Sequence, residues 1–313
     1  MFKPDPGTPG SAERGTGSSE FDQTREDTLL DSRGASAKDE AERLPRGTNI
    51  GRYVILNYLG QGGMGVVLAA YDPDLDRKVA LKLLRGVAGG PESSAGARLL
   101  REAQALAKLS HPNVVAIHDV GMHEGRVFVA MDFLAGPTFS RWCETNRGNW
   151  EEALALYRAA GEGLNAAHMA GLVHRDFKPD NVIIAGGRPR VLDFGLARSS
   201  VVTKPYPVTR GAPSIRDTGE ADLASASGSG PLLDSPVTRA GAIMGTPAYM
   251  SPEQHLGEEV GPASDQFSFC VSLYEALYGE SPFGGDSAGA RAVAVTTGEL
   301  APPPRNSEVP SWI

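Results

Sequence analysis

Short apolar, β-branched runs follow one another from Tyr53 onward: Tyr53 to Leu59, Val66 to Tyr71, Val79 to Leu84, Val114 to Val120 and Val127 to Phe133. Runs of that length, separated by Gly, Pro and Asp, predict strands, and their close spacing predicts an antiparallel sheet of about five. One segment interrupts them. Gly96 to Leu109 places Leu99, Ala103, Leu106 and Leu109 on a single stripe, the pattern of a helix with one buried face. Beyond Phe133 the period changes to 3.6. Trp150 to Ala170 carries Trp150, Leu154, Tyr157, Gly161, Leu164 and His168 at helical spacing, which predicts a long amphipathic helix. Residues 264–278 are apolar on most faces, so a central helix buried on all sides is expected there. Sheet first and helices second predict a two-lobed α+β chain.

Composition changes this picture at the ends and in one loop. Residues 1–47 contain no Val, Ile, Trp or Tyr, mix both charge signs and are rich in Gly, Ser, Thr and Pro. Such a segment cannot offset its ordering entropy by burial, so a disordered tail is assigned to residues 1–50 and a folded unit to 51–313. Eleven Ser or Thr residues lie between Ser199 and Thr238 with Pro and Gly among them, which reads as a mobile loop. A net charge of −8 argues against a nucleic-acid or anionic-membrane partner. Cys143 and Cys270, far apart and within apolar helical stretches, read as buried reduced thiols and fit a cytoplasmic protein. No apolar run reaches the ~18 residues that span a bilayer, and no signal-peptide core stands at the start.

Four clusters of residues carry chemistry. In Leu59-Gly60-Gln61-Gly62-Gly63-Met64-Gly65-Val66-Val67, three glycines fill a G-x-G-x-x-G pattern that lets backbone approach phosphates. A dinucleotide-binding turn shares that spacing but opens a helix; here Val66 to Tyr71 reads as a strand, so the glycines tip a hairpin. Val79-Ala80-Leu81-Lys82 ends an apolar strand on a lysine, and Glu102 on the following helix is placed to pair with it. His174-Arg175-Asp176-Phe177-Lys178-Pro179-Asp180-Asn181 forms the third, and Asp193-Phe194-Gly195 the fourth, twelve residues beyond Asn181.

The third cluster matches H-R-D-x-K-P-x-N at every defined position, and on it the chain resembles the protein kinase family over residues 53 to 313. The resemblance implies a bilobal α+β fold with an N-lobe over 51–133, a C-lobe over 134–313 and a long activation loop over 193–253. Asp176 would orient the acceptor hydroxyl and take its proton, Lys178 would offset charge on the γ-phosphate, and Asn181 with Asp193 would hold the metal. Lys82, held by Glu102, would meet the α- and β-phosphates. Ala80, Met131, Asp132 and Leu134 would receive the adenine, with backbone groups of Asp132 and Leu134 at its edge and Met131 limiting the back pocket. Residues 59–67, from Leu59 to Val67, would cover the phosphates.

In Gly245-Thr246-Pro247-Ala248-Tyr249-Met250-Ser251-Pro252-Glu253 the chain is similar to the family's peptide-receiving segment, with Ser251 where Ala is commoner. Thr246 would bond Asp176 and Lys178. Asp265 would anchor the backbone at His174 and Arg175, while Leu106, Ile117, His174 and Phe194 would form a column across the lobes. His111-Pro112-Asn113 is expected to be a structural turn. Arg175 would receive a phosphate placed on the loop, with Thr238 the leading acceptor. The implied activity is transfer of the γ-phosphate of ATP to Ser or Thr of proteins, itself included, with Mg²⁺ (Mn²⁺ as an alternative) and self-association for autophosphorylation. A bacterial signalling kinase is the implied type, its end truncated at Ile313 and its longer form anchored to a membrane outside this segment. That truncation predicts an uncovered face on the helix around Phe267 to Leu277. Two rivals are a catalytically dead scaffold, which would lack one of Lys82, Glu102, Asp176, Asn181 and Asp193, and a small-molecule phosphotransferase, which would lack the 245–253 segment.

Overall fold

The computed structural model describes residues 44–85, 94–195, 247–311 and 313. Thr238, Thr246 and the loop's eleven hydroxyls lie outside them. Six strands form one antiparallel sheet: β1 (Asn49–Ile50), β2 (Tyr53–Gly62), β3 (Gly65–Asp72), β4 (Arg77–Leu84), β5 (Ile117–His123) and β6 (Arg126–Asp132), in the order β1-β2-β3-β4-β6-β5. The tail boundary drawn at residue 50 is therefore corrected. Ile50 pairs with Tyr53 and is fully buried, because a β-branched side chain at that point can close the outer core of the sheet.

The two-residue period of the strands decides what each face meets. Leu68, Leu81 and Ala130 stand in register, as do Val66, Leu83 and Phe128, and all six join Ile50, Tyr53 and Ile55 in an outer core. On the opposite face Val67, Lys82 and Val129 form one row, and Ala69, Ala80 and Met131 the next. Helix α1 (Ser94–Leu106) packs against β5 and β6, with Leu99, Ala103 and Leu106 buried beside Val129 and Met131. The first strand after α1 starts later than its hydropathy suggests: Val114 and Val115 are buried but bridge and bond Val191 instead, so β5 begins at Ile117.

The helical part contains α2 (Phe139–Thr145), α3 (Trp150–Met169), the hairpin β7 (Val182–Ala185) with β8 (Arg188–Val191), α4 (Pro252–Leu256), α5 (Pro262–Tyr278) and α6 (Ala288–Thr297). Asn149 caps α3 by accepting from Glu152 N, and Glu151 and Glu152 favour its positive N-terminus. A run of ring contacts links α2 to residues 174–194: Phe139 to Tyr157 at 4.4 Å, Tyr157 to Phe269, Phe269 to Phe177 at 5.5 Å, Phe177 to His174 at 5.8 Å and His174 to Phe194 at 4.8 Å. His111 to Asn113 is a turn, with His111 Nδ1 accepting from Asn113 N while buried Asn113 donates to Pro189 O.

Two expectations fail on α5. Burial on all sides does not occur: Gln266 and Cys270 are exposed, and the buried stripe is Ser264, Asp265, Ser268, Val271 and Ser272. Hydropathy misjudged the face because serine hydroxyls can be buried when they are bonded, and these are. Ser268 Oγ donates to Tyr249 O at 2.6 Å, Ser272 Oγ meets the Tyr157 hydroxyl, and Ser264 donates to Glu253. Both cysteines are free, yet neither is fully buried: Cys270 is exposed and Cys143 half-buried. Burial, with Glu275 and Glu144 adding, pushes the Cys143 thiol up to about 11, so it stays protonated at neutral pH.

Candidate active site

The glycine-rich segment is the β2–β3 hairpin, with Gly62 opposite Gly65. Gly65 is the demanding position. Its φ is +147°, and a methyl there would lie 2.2 Å from the Leu83 carbonyl oxygen of β4, whereas a methyl at Gly63 meets nothing within 4 Å. We expect Gly65→Ala to lower stability by about 2–4 kcal/mol and Gly63→Ala by less than about 0.5, measured by chemical denaturation.

Lys82 lies on the inner face of β4 and is 5% exposed. Its Nζ stands 2.7 Å from Asp193 Oδ1. Asp193 follows β8 at φ +55°, an unfavourable backbone for a residue with a Cβ, and Gly195 N donates to His174 O at 2.8 Å, tying the Asp-Phe-Gly turn to the catalytic loop. Phe194, 3% exposed, fills the core beside Leu106, with Ile117 packed on it. On the loop itself, Asn181 Nδ2 donates to Asp176 O at 2.7 Å and approaches Asp176 Oδ2 at 3.4 Å, which leaves the Asn181 amide oxygen for a cation. Lys178 Nζ is 3.8 Å from Asp176 Oδ2. Lys82 with Asp193 and Asn181 with Asp176 and Lys178 form two groups, and Leu192 N, next to Asp193, donates to Asn181 O at 2.8 Å between their segments.

Asp265 of α5 holds the loop's entry. Its Oδ2 accepts from His174 N at 2.6 Å and from His168 Nε2 at 2.8 Å, and its Oδ1 accepts from Arg175 N at 2.6 Å. Gln254 Nε2 of α4 donates to Arg175 O, and Gln254 Oε1 accepts from Ser251 N, joining the peptide-receiving side to the same loop.

Comparison with known proteins bears on this geometry. The protein kinase domain family matches residues 53–308. The chain belongs to the protein kinase family. It is 36% identical over 268 residues to the serine/threonine-protein kinase PknA of Mycobacterium tuberculosis, covering 83% of this chain and 54% of that protein. It is also 36% identical over 264 residues to pkn3 of Myxococcus xanthus, covering 81% of this chain and 42% of that protein. The chain spans about half the length of the curated relatives it matches. The crystal structure of the Mycobacterium tuberculosis PknI kinase domain shares the fold at a TM-score of 0.55 and 24% identity, over 78% of this chain and 80% of that one. Kinases of this family use ATP with a divalent cation and act on proteins.

Within this kinase domain one expected contact is replaced. Among the described ion pairs Lys82 does not meet Glu102; Lys82 lies on Asp193, and Glu102 Oε1 stands 4.0 Å from Arg175 Nη1. The Lys82 ammonium pairs with the Asp193 carboxylate, and the Arg175 guanidinium is the cation nearest Glu102 among the described ion pairs. Ala80 and Met131 face each other across β4 and β6, and Met131 is 8% exposed. Asp132 N donates to Ala116 O. A cavity of about 660 Å³ opens elsewhere, lined by Cys143, Tyr157, Tyr249 and Glu275; it includes Pro179 but none of Lys82, Asp176, Asn181 and Asp193. Among the described residues no helix is long and apolar enough to cross a membrane.

Sequence reading missed His168, Gln254 and the serine stripe of α5. His168 was legible only as one more position on the α3 stripe, since nothing in its spacing pointed to Asp265. His174 is fully buried, and burial pushes its imidazole below the ordinary value. The neutral ring fits its bonds: Nε2–H donates to Leu192 O at 2.6 Å and Nδ1 accepts from Asp176 N at 3.3 Å. With the folded value depressed, the unfolded chain takes up a proton first as pH falls, so this stabilisation is present above about pH 6.5 and lost below it. Denaturation midpoints of the wild type should drop between pH 7 and 5 more steeply than those of His174→Phe.

Proposed function

We propose that the chain transfers the γ-phosphate of Mg-ATP to Ser or Thr hydroxyls of proteins, itself included, in bacterial signalling. The observation that carries this reading is that Lys82 of β4 pairs with Asp193, that Asn181 and Lys178 both approach Asp176, and that Leu192 N, next to Asp193, donates to Asn181 O at 2.8 Å and so holds the two groups side by side. Asp176 takes the proton as the acceptor oxygen bonds to phosphorus and the bond from phosphorus to the β-phosphate oxygen breaks, releasing ADP. Lys178 offsets charge on the transferring group, and Lys82 leaves Asp193 for the α- and β-phosphates. Thr246, outside the described residues, is assigned to hold Asp176 and Lys178.

The donor set fits Mg²⁺. Asn181 Oδ1 and the Asp193 carboxylate are hard oxygens, and no cluster of three His, Cys, Asp or Glu able to hold a metal occurs among the described residues. A cation that takes one or two protein oxygens and completes its shell with phosphate and water suits such a pair. Held by Asn181 and Asp193, it would supply positive charge against the phosphates. The cytoplasm supplies the ATP, and autophosphorylation between two copies would place phosphate opposite Arg175, with Thr238 the leading acceptor.

The test is a γ-phosphate transfer assay followed by mapping of modified residues. Wild type should label Ser and Thr, and Lys82→Met should lose most transfer. Equal labelling by Lys82→Met, or label confined to small molecules, would overturn the proposal. A loop that gains activity with Thr238 unmodified would remove Thr238 alone.

A further inference from the structure

The last residue of β6, Asp132, carries a side-chain arrangement that adenine contact does not require. Between Ile117 and Asp119 the β5–β6 ladder slips by one residue, and His118 is the extra residue of that bulge. A bulge re-aims the side chain it inserts, and here the imidazole points along the sheet to Asp132, with Nε2 2.8 Å from Oδ1. Arg77 at the start of β4 brings Nη1 to 3.2 Å of the same nitrogen. A carboxylate oxygen at 2.8 Å requires Nε2 to carry the hydrogen, so His118 donates to Asp132 and Nε2 does not accept from Arg77, whose guanidinium lies alongside the ring. Arg77 Nε is in turn 3.9 Å from Asp72, a fully buried carboxylate that also takes Arg52 at 3.1 Å. Asp132 is therefore fixed twice, by its amide on Ala116 O and by its carboxylate on His118, and the second fixing leads back to a buried anchor at the end of β3.

We propose that His118 is a positioning residue for nucleotide binding: presented by the bulge and flanked by Arg77, it fixes Asp132 and so sets how tightly the kinase holds the adenine of ATP. This rests on the reading of Asp132 and Leu134 as the adenine contact. Preorganisation of that contact lowers the ordering cost of binding, which appears in affinity for ATP and not in the transfer step. A side chain that only supported the sheet would change stability and turnover together.

The experiment compares wild type, His118→Phe and His118→Gln on the full chain. Dissociation constants for Mg-ATP are read by calorimetry, with kcat at saturating ATP on a Ser/Thr-containing peptide. Loss of one charge-assisted hydrogen bond should raise the ATP constant about tenfold in His118→Phe, with kcat within about twofold. Gln, whose amide nitrogen reaches the Nε2 position, should recover most of the affinity. A double-mutant cycle with Asp132→Asn should show strong non-additivity, and it covers the case in which the Phe variant folds poorly. Unchanged ATP affinity in His118→Phe, or additive effects in the cycle, would overturn the proposal while the kinase reading stands. A wild type with no affinity for ATP would overturn both.

Discussion

Replacing Asp176 by Asn lowers kcat by about 10²–10⁴ while leaving the affinity for Mg-ATP near that of the wild type. Asn keeps the size and shape of the side chain but cannot take the acceptor's proton, so the loss isolates proton acceptance. The surrounding loop supports that separation. Asn181 holds the Asp176 backbone oxygen at 2.7 Å, a bond that Asp176→Asn leaves in place, and lies 3.4 Å from its carboxylate. Lys178, 3.8 Å away, loses one attraction and keeps the charge that meets the phosphate. Single-turnover measurement at saturating ATP checks the loss, and a titration of nucleotide checks the binding. Wild-type kcat in Asp176→Asn would mean that proton transfer to this carboxylate plays no part in the reaction.

What the sequence disclosed, and what it hid, follows from the range of the signals. The hairpin over Gly62 to Gly65 and the lysine on an apolar strand were legible because strand period and glycine placement are local. The motif around Asp176 was legible because its spacing is dictated by chemistry at one point in space. The partner of Lys82 was not legible. Lys82 has two carboxylates from distant segments to choose between, Glu102 and Asp193, and the choice depends on where α1 stands and on the charge in the cleft, neither of which is written in the local pattern. The burial of α5 was misread for a different reason. A hydropathy scale counts Ser264, Ser268 and Ser272 as polar, yet each finds a partner across the helix interface and so becomes the buried face. Ile50 was missed at a boundary, where one apolar residue beside a polar tail gives no period to read.

Asp265 shows how much such hidden long-range bonds can hold. Removing its side chain with Asp265→Ala should cost about 3–5 kcal/mol, because the carboxylate is 1% exposed and three donors, His174 N, Arg175 N and His168 Nε2, lose their acceptor, the first of them fully buried. Arg175 makes the dependence sharper. It holds φ +65°, a conformation costing a residue with a Cβ about 1 kcal/mol or more, and the clamp on two consecutive amides keeps it there. Freed, the loop would relax Arg175 and swing Asp176 away from the acceptor, so turnover falls with stability. A loss of that size lowers Tm by roughly 6–20 °C in a domain of this length. Asp265→Asn should do nearly as badly, since an amide offers one acceptor oxygen where two amides from different directions need one each, and its nitrogen would face a donor. Retention of wild-type Tm and kcat by Asp265→Ala would show that the loop is held by Gln254 on Arg175 O and by Gly195 on His174 O without the carboxylate.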